Sequence, residues 1–405
     1  MKAIEKNYLL PFCLVTSLFM LWGLANNMTD TLLSAFKRIM SMSDTQTSLI
    51  QFAFYGSYFC FALPAALYIR KYSYKSGITL GLALYALGAI LFMPAAKAAS
   101  YTFYLIAIYI MAGGCSILET TANPYILAMG DPSTATRRLN IAQAFNPVGS
   151  ITGILMSKYF ILSDISLYSV SGTYTALGCV LLIIMVAMFF AKMPNGSDAS
   201  TASNGTSAQS LVSRLMHDKM YVGGVIAQFF YVGAQIGVWS FTIRIVMQEM
   251  NMLEAQASNI YLITIICFCA SRFIYTWLMK FFRPSKLLTF GAVASAICSA
   301  IVAVSADTGW FMVTVLVLVS VFMSLMFPTI YGIALNGISQ GDHPDDAKIA
   351  ASGLIMAILG GALITPLQGF VSDTCGIYIS YLIPSFCFIV VFIYAIYATK
   401  KESIC

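Results

Sequence analysis

Apolar runs of about twenty residues recur from one end of this chain to the other, each long enough to cross the hydrocarbon of a bilayer as a helix. Only 9% of the residues are charged and 59% are hydrophobic, whereas soluble domains carry about 25% charged residues. So little charge cannot cover the surface of a water-soluble globule. The chain therefore reads as an all-α membrane protein that crosses the bilayer many times.

The runs lie near 8–33, 48–69, 77–96, 101–129, 139–162 and 168–191, then near 220–247, 255–279, 287–304, 310–336, 349–371 and 377–398. Between the two sets stands Pro194-Asn195-Gly196-Ser197-Asp198 and a Ser/Thr/Asn/Gly/Ala tract to Ser210, which has linker composition and no periodic pattern. Residues 1–191 are expected to form one six-helix bundle, 192–218 a cytoplasmic linker, and 219–405 a second six-helix bundle. Lys2 and Lys6 before the first run, with Gly23-Leu24-Ala25 after it, faintly resemble a secretion signal. With many spans following, the run reads as an uncleaved first helix.

Orientation follows from where Lys and Arg fall. Of the 22, Lys37, Arg38, Lys97 and Lys158 fall in loops on one side, and Arg244 and Arg272 fall within or at the ends of spans. The remaining sixteen lie on the other side, with both termini and the linker, and mark it as cytoplasmic. Two connections rich in basic residues, 67–75 and 278–286, occupy matching places in the two halves and suggest duplication. Two such halves fit the major facilitator architecture, where substrate sites lie near the midplane between repeats.

The cysteines fall mostly inside apolar runs without CxxC spacing and read as small hydrophobes. Both histidines, His217 and His343, lie in polar loops, so no metal site is expected within the spans. The net charge of +6 is scattered in short clusters and reports topology, not nucleic-acid binding.

Against this background the intramembrane polar residues stand out. Leu21-Trp22-Gly23-Leu24-Ala25-Asn26-Asn27-Met28-Thr29-Asp30 places Asn26, Asn27 and Asp30 on one helical face. An ionised Asp at the middle of a membrane helix costs roughly 2.5–3.5 kcal/mol, and such a residue usually faces a bundle interior or a water path. Otherwise Asp30 lies near the helix end and reaches headgroup water. Glu119 is the second acid, with Asn123 one turn on and Pro124 expected to kink the helix there. Interhelical hydrogen bonding is the competing reading, but a neutral amide would serve that purpose with less desolvation.

In the fifth span Asn140, Gln143 and Asn146 recur at three-residue spacing, and Gln143 and Asn146 share a face. In the seventh, Gln228, Tyr231 and Gln235 form one stripe, with Trp239 a turn beyond. Helix–helix bonding competes here too. Amides, phenols and an indole are also what a sugar needs, since hydroxyls take donors and acceptors while pyranose C–H faces pack on rings. Arg244 is expected to reach water from a helix end; Arg272 is open as a partner in a cytoplasmic-side gate. Gly149, Gly360 and Gly361 are assigned to close helix approach.

Several of these stretches together resemble the L-fucose:proton symporters of the major facilitator superfamily. They are 21–30, Leu118-Glu119-Thr120-Thr121-Ala122-Asn123-Pro124, 138–146, Gln228-Phe229-Phe230-Tyr231-Val232-Gly233-Ala234 with Trp239-Ser240, Arg272-Phe273, 322–330 and 369–373. The resemblance implies a sugar symporter of the bacterial inner membrane, a monomer with no cofactor beyond the coupling proton. Asp30 and Glu119 would couple protons to sugar, and Asn27, Gln143 and Asn146 would line the sugar site. The chain departs from the superfamily pattern in lacking an Asp within 67–75, and Pro147 follows Asn146. Carriers of glucose/galactose and of N-acetylglucosamine share parts of these motifs, so another hexose or an uncoupled facilitator is the alternative. A membrane enzyme is disfavoured, because the spans hold no His, GxGD or nucleophile elbow, and a sensor because the tails and linker are short.

Overall fold

The computed structural model describes residues 4, 8–39, 44–161, 166–191, 208–339 and 346–404, except for the side chains at 26, 29–39, 44–49, 51, 158, 161, 208–212, 254–255 and 403–404. The N-terminal half comprises α1 (Leu9–Ile39), α2 (Asp44–Lys71), α3 (Tyr74–Ile90), α4 (Phe92–Ala98), α5 (Tyr101–Ala128), α6 (Ala135–Gln143), α7 (Asn146–Met156) and α8 (Leu167–Phe190). A short helix α9 (Ala208–His217) precedes α10 (Lys219–Met250), α11 (Glu254–Leu278) and α12 (Pro284–Val304). Then come α13 (Trp310–Met323), α14 (Met326–Ser339), α15 (Asp346–Met356), α16 (Gly360–Cys375) and α17 (Leu382–Ile404). No strand occurs among the described residues. Ten helical stretches among them are long and apolar enough to cross a membrane, and a shorter apolar helix occupies Leu9–Ala25.

Helix starts follow local chemistry. Ser73, Ser100 and Ser166 cap α3, α5 and α8 by accepting backbone N–H groups that have no intrahelical partner. Asp218 does the same for α10, accepting from Met220 N at 2.8 Å. The linker is not structureless throughout: α9 ends it, and Arg214 donates two hydrogen bonds, 3.0 and 2.8 Å, to Asp346 at the start of α15.

The fifth expected span is drawn as two helices, α6 and α7, interrupted at Ala144–Phe145, and the tenth breaks between α13 and α14. A proline follows each break, Pro147 in α7 and Pro328 in α14. Proline has no N–H for the carbonyl four residues earlier, and its ring crowds that carbonyl. Pro124, expected to kink the fourth span, lies inside α5 without a break in the helix.

The two halves repeat one packing plan. In the first, α1 packs on α7, and α3 on α5 and α8; in the second, α10 packs on α16, and α12 on α13 and α17. Glycines bring the backbones together at equivalent seams. A methyl group at Gly149 would overlap the Met20 carbonyl, one at Gly23 the Asn146 carbonyl, and one at Gly360 the Phe229 carbonyl. The matching basic connections also act alike. Lys75 donates to the Ala191 carbonyl after α8 (2.8 Å), and Arg283 to the Glu402 carbonyl near the end of α17 (2.9 Å). The halves meet chiefly where α2, α5, α6 and α7 face α11, α14, α15 and α16.

Candidate functional site

The polar residues of the first half gather where α1, α5, α6 and α7 come together. Glu119, on α5, is 5% exposed and makes no hydrogen bond to a described residue. One turn on, Asn123 accepts a 2.8 Å hydrogen bond at Oδ1 from Gln143 Nε2 on α6, while its own Nδ2 is buried without a partner among the described residues. Three residues past Gln143, Asn146 donates to the Phe19 carbonyl of α1 at 3.2 Å. Asn27 lies one turn beyond Gly23, the α1 residue pressed on Asn146, and donates to the Gly23 carbonyl at 3.2 Å. Asn123 and Gln143 come together through the α5–α6 contact, and Asn27 and Asn146 lie at the α1–α7 contact, with Glu119 one turn before Asn123. The expectations for Asn26 and Asp30 rest on side chains outside the described residues.

Two tyrosines that the sequence reading missed lie within electrostatic range of Glu119: Tyr58 on α2 and Tyr331 on α14. The Tyr58 hydroxyl accepts a 2.6 Å hydrogen bond from Trp22 Nε1, which ties the α1 motif to the surroundings of Glu119. Tyr331 comes from the other half, and its hydroxyl is buried without a hydrogen-bond partner among the described residues. No sequence spacing signals either residue, because tyrosines are scattered through the spans and the pairing is entirely tertiary.

In the second half the α10 stripe divides. The Tyr231 hydroxyl donates to the Met323 carbonyl at the α13–α14 break (3.2 Å), and Trp239 Nε1 donates to Ser320 Oγ (3.3 Å) and sits edge-on to Phe268. Both polar groups thus join helices of one half, as the competing reading held. Gln228 is fully buried with neither amide atom bonded to a described residue, and Gln235 is half-buried. A buried amide with no protein partner is unusual and calls for a ligand, a water or a second conformation to satisfy it.

The seam between halves is polar and largely uncharged. Asn140 and Thr329 hydrogen-bond across it at 3.3 Å, and Gly332 of α14 is packed against Thr136 of α6. Arg272, on α11, is 3% exposed and donates through Nε to the Ser324 carbonyl (2.6 Å) and through a terminal N–H to the Gln143 carbonyl (3.0 Å). Arg244 is exposed, with its guanidinium 5.3 Å from the centre of the Phe241 ring.

Fold and site together define a multi-pass helical membrane protein with buried acid and amide groups beside an interface between two similarly packed halves. The family description Major Facilitator Superfamily matches residues 12–355. Over 98% of this chain and 99% of the relative, the sequence is 40% identical to the L-fucose-proton symporter of Haemophilus influenzae. It is 31% identical to the glucose/galactose transporter of Brucella abortus, over 98% of this chain and 96% of that one. The crystal structure of the transporter FucP in the outward conformation superposes with a TM-score of 0.87 at 36% identity, covering 97% of this chain and 99% of that chain. The chain belongs to the Major Facilitator Superfamily, within the group that holds the L-fucose-proton symporters.

Proposed function

We propose that this chain is a proton-coupled sugar symporter that imports L-fucose by alternating access. The observation that carries the reading is Glu119: a buried carboxyl that makes no hydrogen bond to a described residue, one turn from an Asn123–Gln143 pair. Taking an ionised carboxylate out of water is expensive, and protonation removes that expense. A protonated Glu119 can therefore travel between the two sides in company with a neutral sugar, while the bare ionised carrier rarely reorients. Asp30 is the second coupling acid; Asn26, Asn27, Asn123, Gln143 and Asn146 with Gln228 and Gln235 make the polar sugar wall, and Tyr231 and Trp239, whose polar groups are engaged within their own half, contribute ring faces to it. Each neutral hydrogen bond nets only about 0.5–1.5 kcal/mol, so several are needed for useful affinity.

The proposed organisation is a six-helix bundle over 1–191, a linker over 192–218 and a second bundle over 219–405. Both termini are cytoplasmic, and the protein works as a monomer in the inner membrane without a cofactor. On that orientation the seam of α6, α14 and α15 closes the cytoplasmic side and the sugar path opens outward, which agrees with the likeness to the outward conformation of FucP. The likeness to a glucose/galactose transporter supports a second reading, in which the same site carries another hexose.

Uptake of labelled hexoses, L-fucose included, into vesicles with and without an imposed pH gradient separates the readings. Gradient-driven accumulation of L-fucose above all other sugars is expected. Accumulation of glucose or galactose instead would transfer the assignment to the second reading, and uptake indifferent to the gradient would make the chain a facilitator.

A further inference from the structure

Arg272 is a buried cation, and among the described residues no carboxylate lies within ion-pair range of it. Such a charge is tolerated only when its donors are engaged by good acceptors. Beside the Tyr231 hydroxyl of its own half, the acceptors here are two backbone carbonyls, those of Ser324 and Gln143. Both stand in the same relation to a proline: Gln143 is four residues before Pro147, and Ser324 four before Pro328. Each proline denies its carbonyl the helical N–H that would otherwise satisfy it. The two carbonyls belong to different halves, so one planar fork of donors bridges the seam at the two helix breaks.

We propose that Arg272 is the positioning residue that locks the seam shut, in a seat built by Pro147 and Pro328. The lock is tied to the coupling site through Gln143, whose backbone carbonyl receives Arg272 while its side-chain amide bonds Asn123, one turn from Glu119. On opening, Arg272 keeps Ser324 within its own half and gives up only Gln143, whose carbonyl then faces the opened path and takes water. The face of Phe268, 4.7 Å from the guanidinium, holds the cation on its own side throughout. The lock rests on the transporter reading only in that an opening seam has its use there.

Thr136, 7% exposed and packed against Gly332, reports the seam. In detergent-purified protein carrying Thr136→Cys, alkylation at 136 is measured by peptide mass spectrometry without sugar, with buried Cys115 inside the first half as control. Adding Arg272→Met is expected to speed alkylation at 136 roughly ten- to hundredfold, the shift one charge-assisted hydrogen bond is worth. Arg272→Lys, a single ammonium without the fork, falls between. Pro147→Ala, which offers Gln143 a helical N–H, also speeds it while leaving Arg272 in place. Cys115 stays slow in all three.

Unchanged alkylation at 136 in monodisperse Arg272→Met or Arg272→Lys protein overturns the lock, and an unchanged rate in Pro147→Ala overturns the proline-built seat. Equal acceleration at 136 and Cys115 also overturns it, since that marks general loosening. Because no sugar enters the measurement, a failed hexose assignment leaves the result readable.

Discussion

Glu119→Gln tests the coupling role with little structural disturbance. The two side chains have nearly the same shape, and Glu119 gives up no hydrogen bond because it makes none to a described residue. The new amide N–H groups must be desolvated in the same site, a penalty of about 1–3 kcal/mol if they find no partner. A folded protein that still binds sugar is expected, because the Asn123–Gln143 pair and the α1–α7 contacts are untouched. The loss falls on accumulation. One pH unit is worth about 1.4 kcal/mol per proton, a factor of about ten in concentration at equilibrium. With one proton per sugar and a one-unit gradient imposed across proteoliposomes, the parent chain concentrates labelled sugar up to about tenfold, and the variant reaches only the outside concentration. Exchange of labelled for unlabelled sugar at equal pH on both sides continues in the variant. Tenfold accumulation by Glu119→Gln would remove Glu119 from the coupling role; loss of exchange together with accumulation would make it a sugar ligand instead.

Gln143→Asn keeps an amide but falls one methylene short of Asn123, so half-saturation for sugar is expected to rise roughly three- to tenfold, as for one neutral hydrogen bond, in initial-rate uptake. Gly149→Leu drives a side chain into the Met20 backbone and is expected to lower stability by at least about 1–3 kcal/mol, read as thermal unfolding in detergent. Gly172→Ala, whose added methyl meets nothing within 4 Å, is the neutral control in the same assay. Arg138 is fully buried and donates to the carbonyls of Ile126 and Leu127 at the end of α5, 2.8 and 2.7 Å away. Arg138→Met strands both carbonyls and is expected to cost roughly 3 kcal/mol or more in the same unfolding measurement.

Much of the fold was legible because a bilayer leaves a helical chain few choices: span length, apolar run and basic loop each carry a signal. Ten of the expected spans reappear as membrane-length helices among the described residues, and the fifth was harder because Arg137, Arg138, Asn140 and Gln143 dilute its apolar character while Pro147 divides it. The glycines at 149 and 360 were readable as contact points because nothing else lets two backbones meet. The buried polar cluster was legible where an acid or amide had no other reason to be in a span, as with Glu119, Asn123 and Gln143; its part in transport is the proposal. It was illegible where the decisive fact is a partner. The Tyr231 hydroxyl was expected at a sugar wall and is engaged by the Met323 carbonyl, and nothing in the α10 stripe tells these apart. The bonding of Arg272 could have been anticipated in part, since a proline inside a span announces a needy carbonyl four residues earlier. What no sequence discloses is that one arginine meets two such carbonyls.

The contrast between seams within and between the halves bears on how such a molecule can move. Within a half, α1 lies against α7 and α10 against α16 with backbone touching backbone at Gly23, Gly149 and Gly360, contacts that leave no room for sliding. Between halves, the polar contacts among the described residues are few and replaceable by water: Asn140 with Thr329, Arg272 with Gln143, and the Lys348 ammonium over the Tyr74 ring at 5.5 Å. A neutral hydrogen bond or an exposed cation–π pair is worth about 1 kcal/mol after exchange with water, and the charge-assisted Arg272 bond about 1.5–3 kcal/mol. A seam made of them opens at a cost that a bound sugar and a proton can supply, whereas separating α1 from α7 would expose helix backbone with no such compensation. The same economy explains why the strongest cross-seam bond uses a carbonyl that proline has already released: breaking it costs no helical hydrogen bond, since Pro147 has no N–H to offer Gln143.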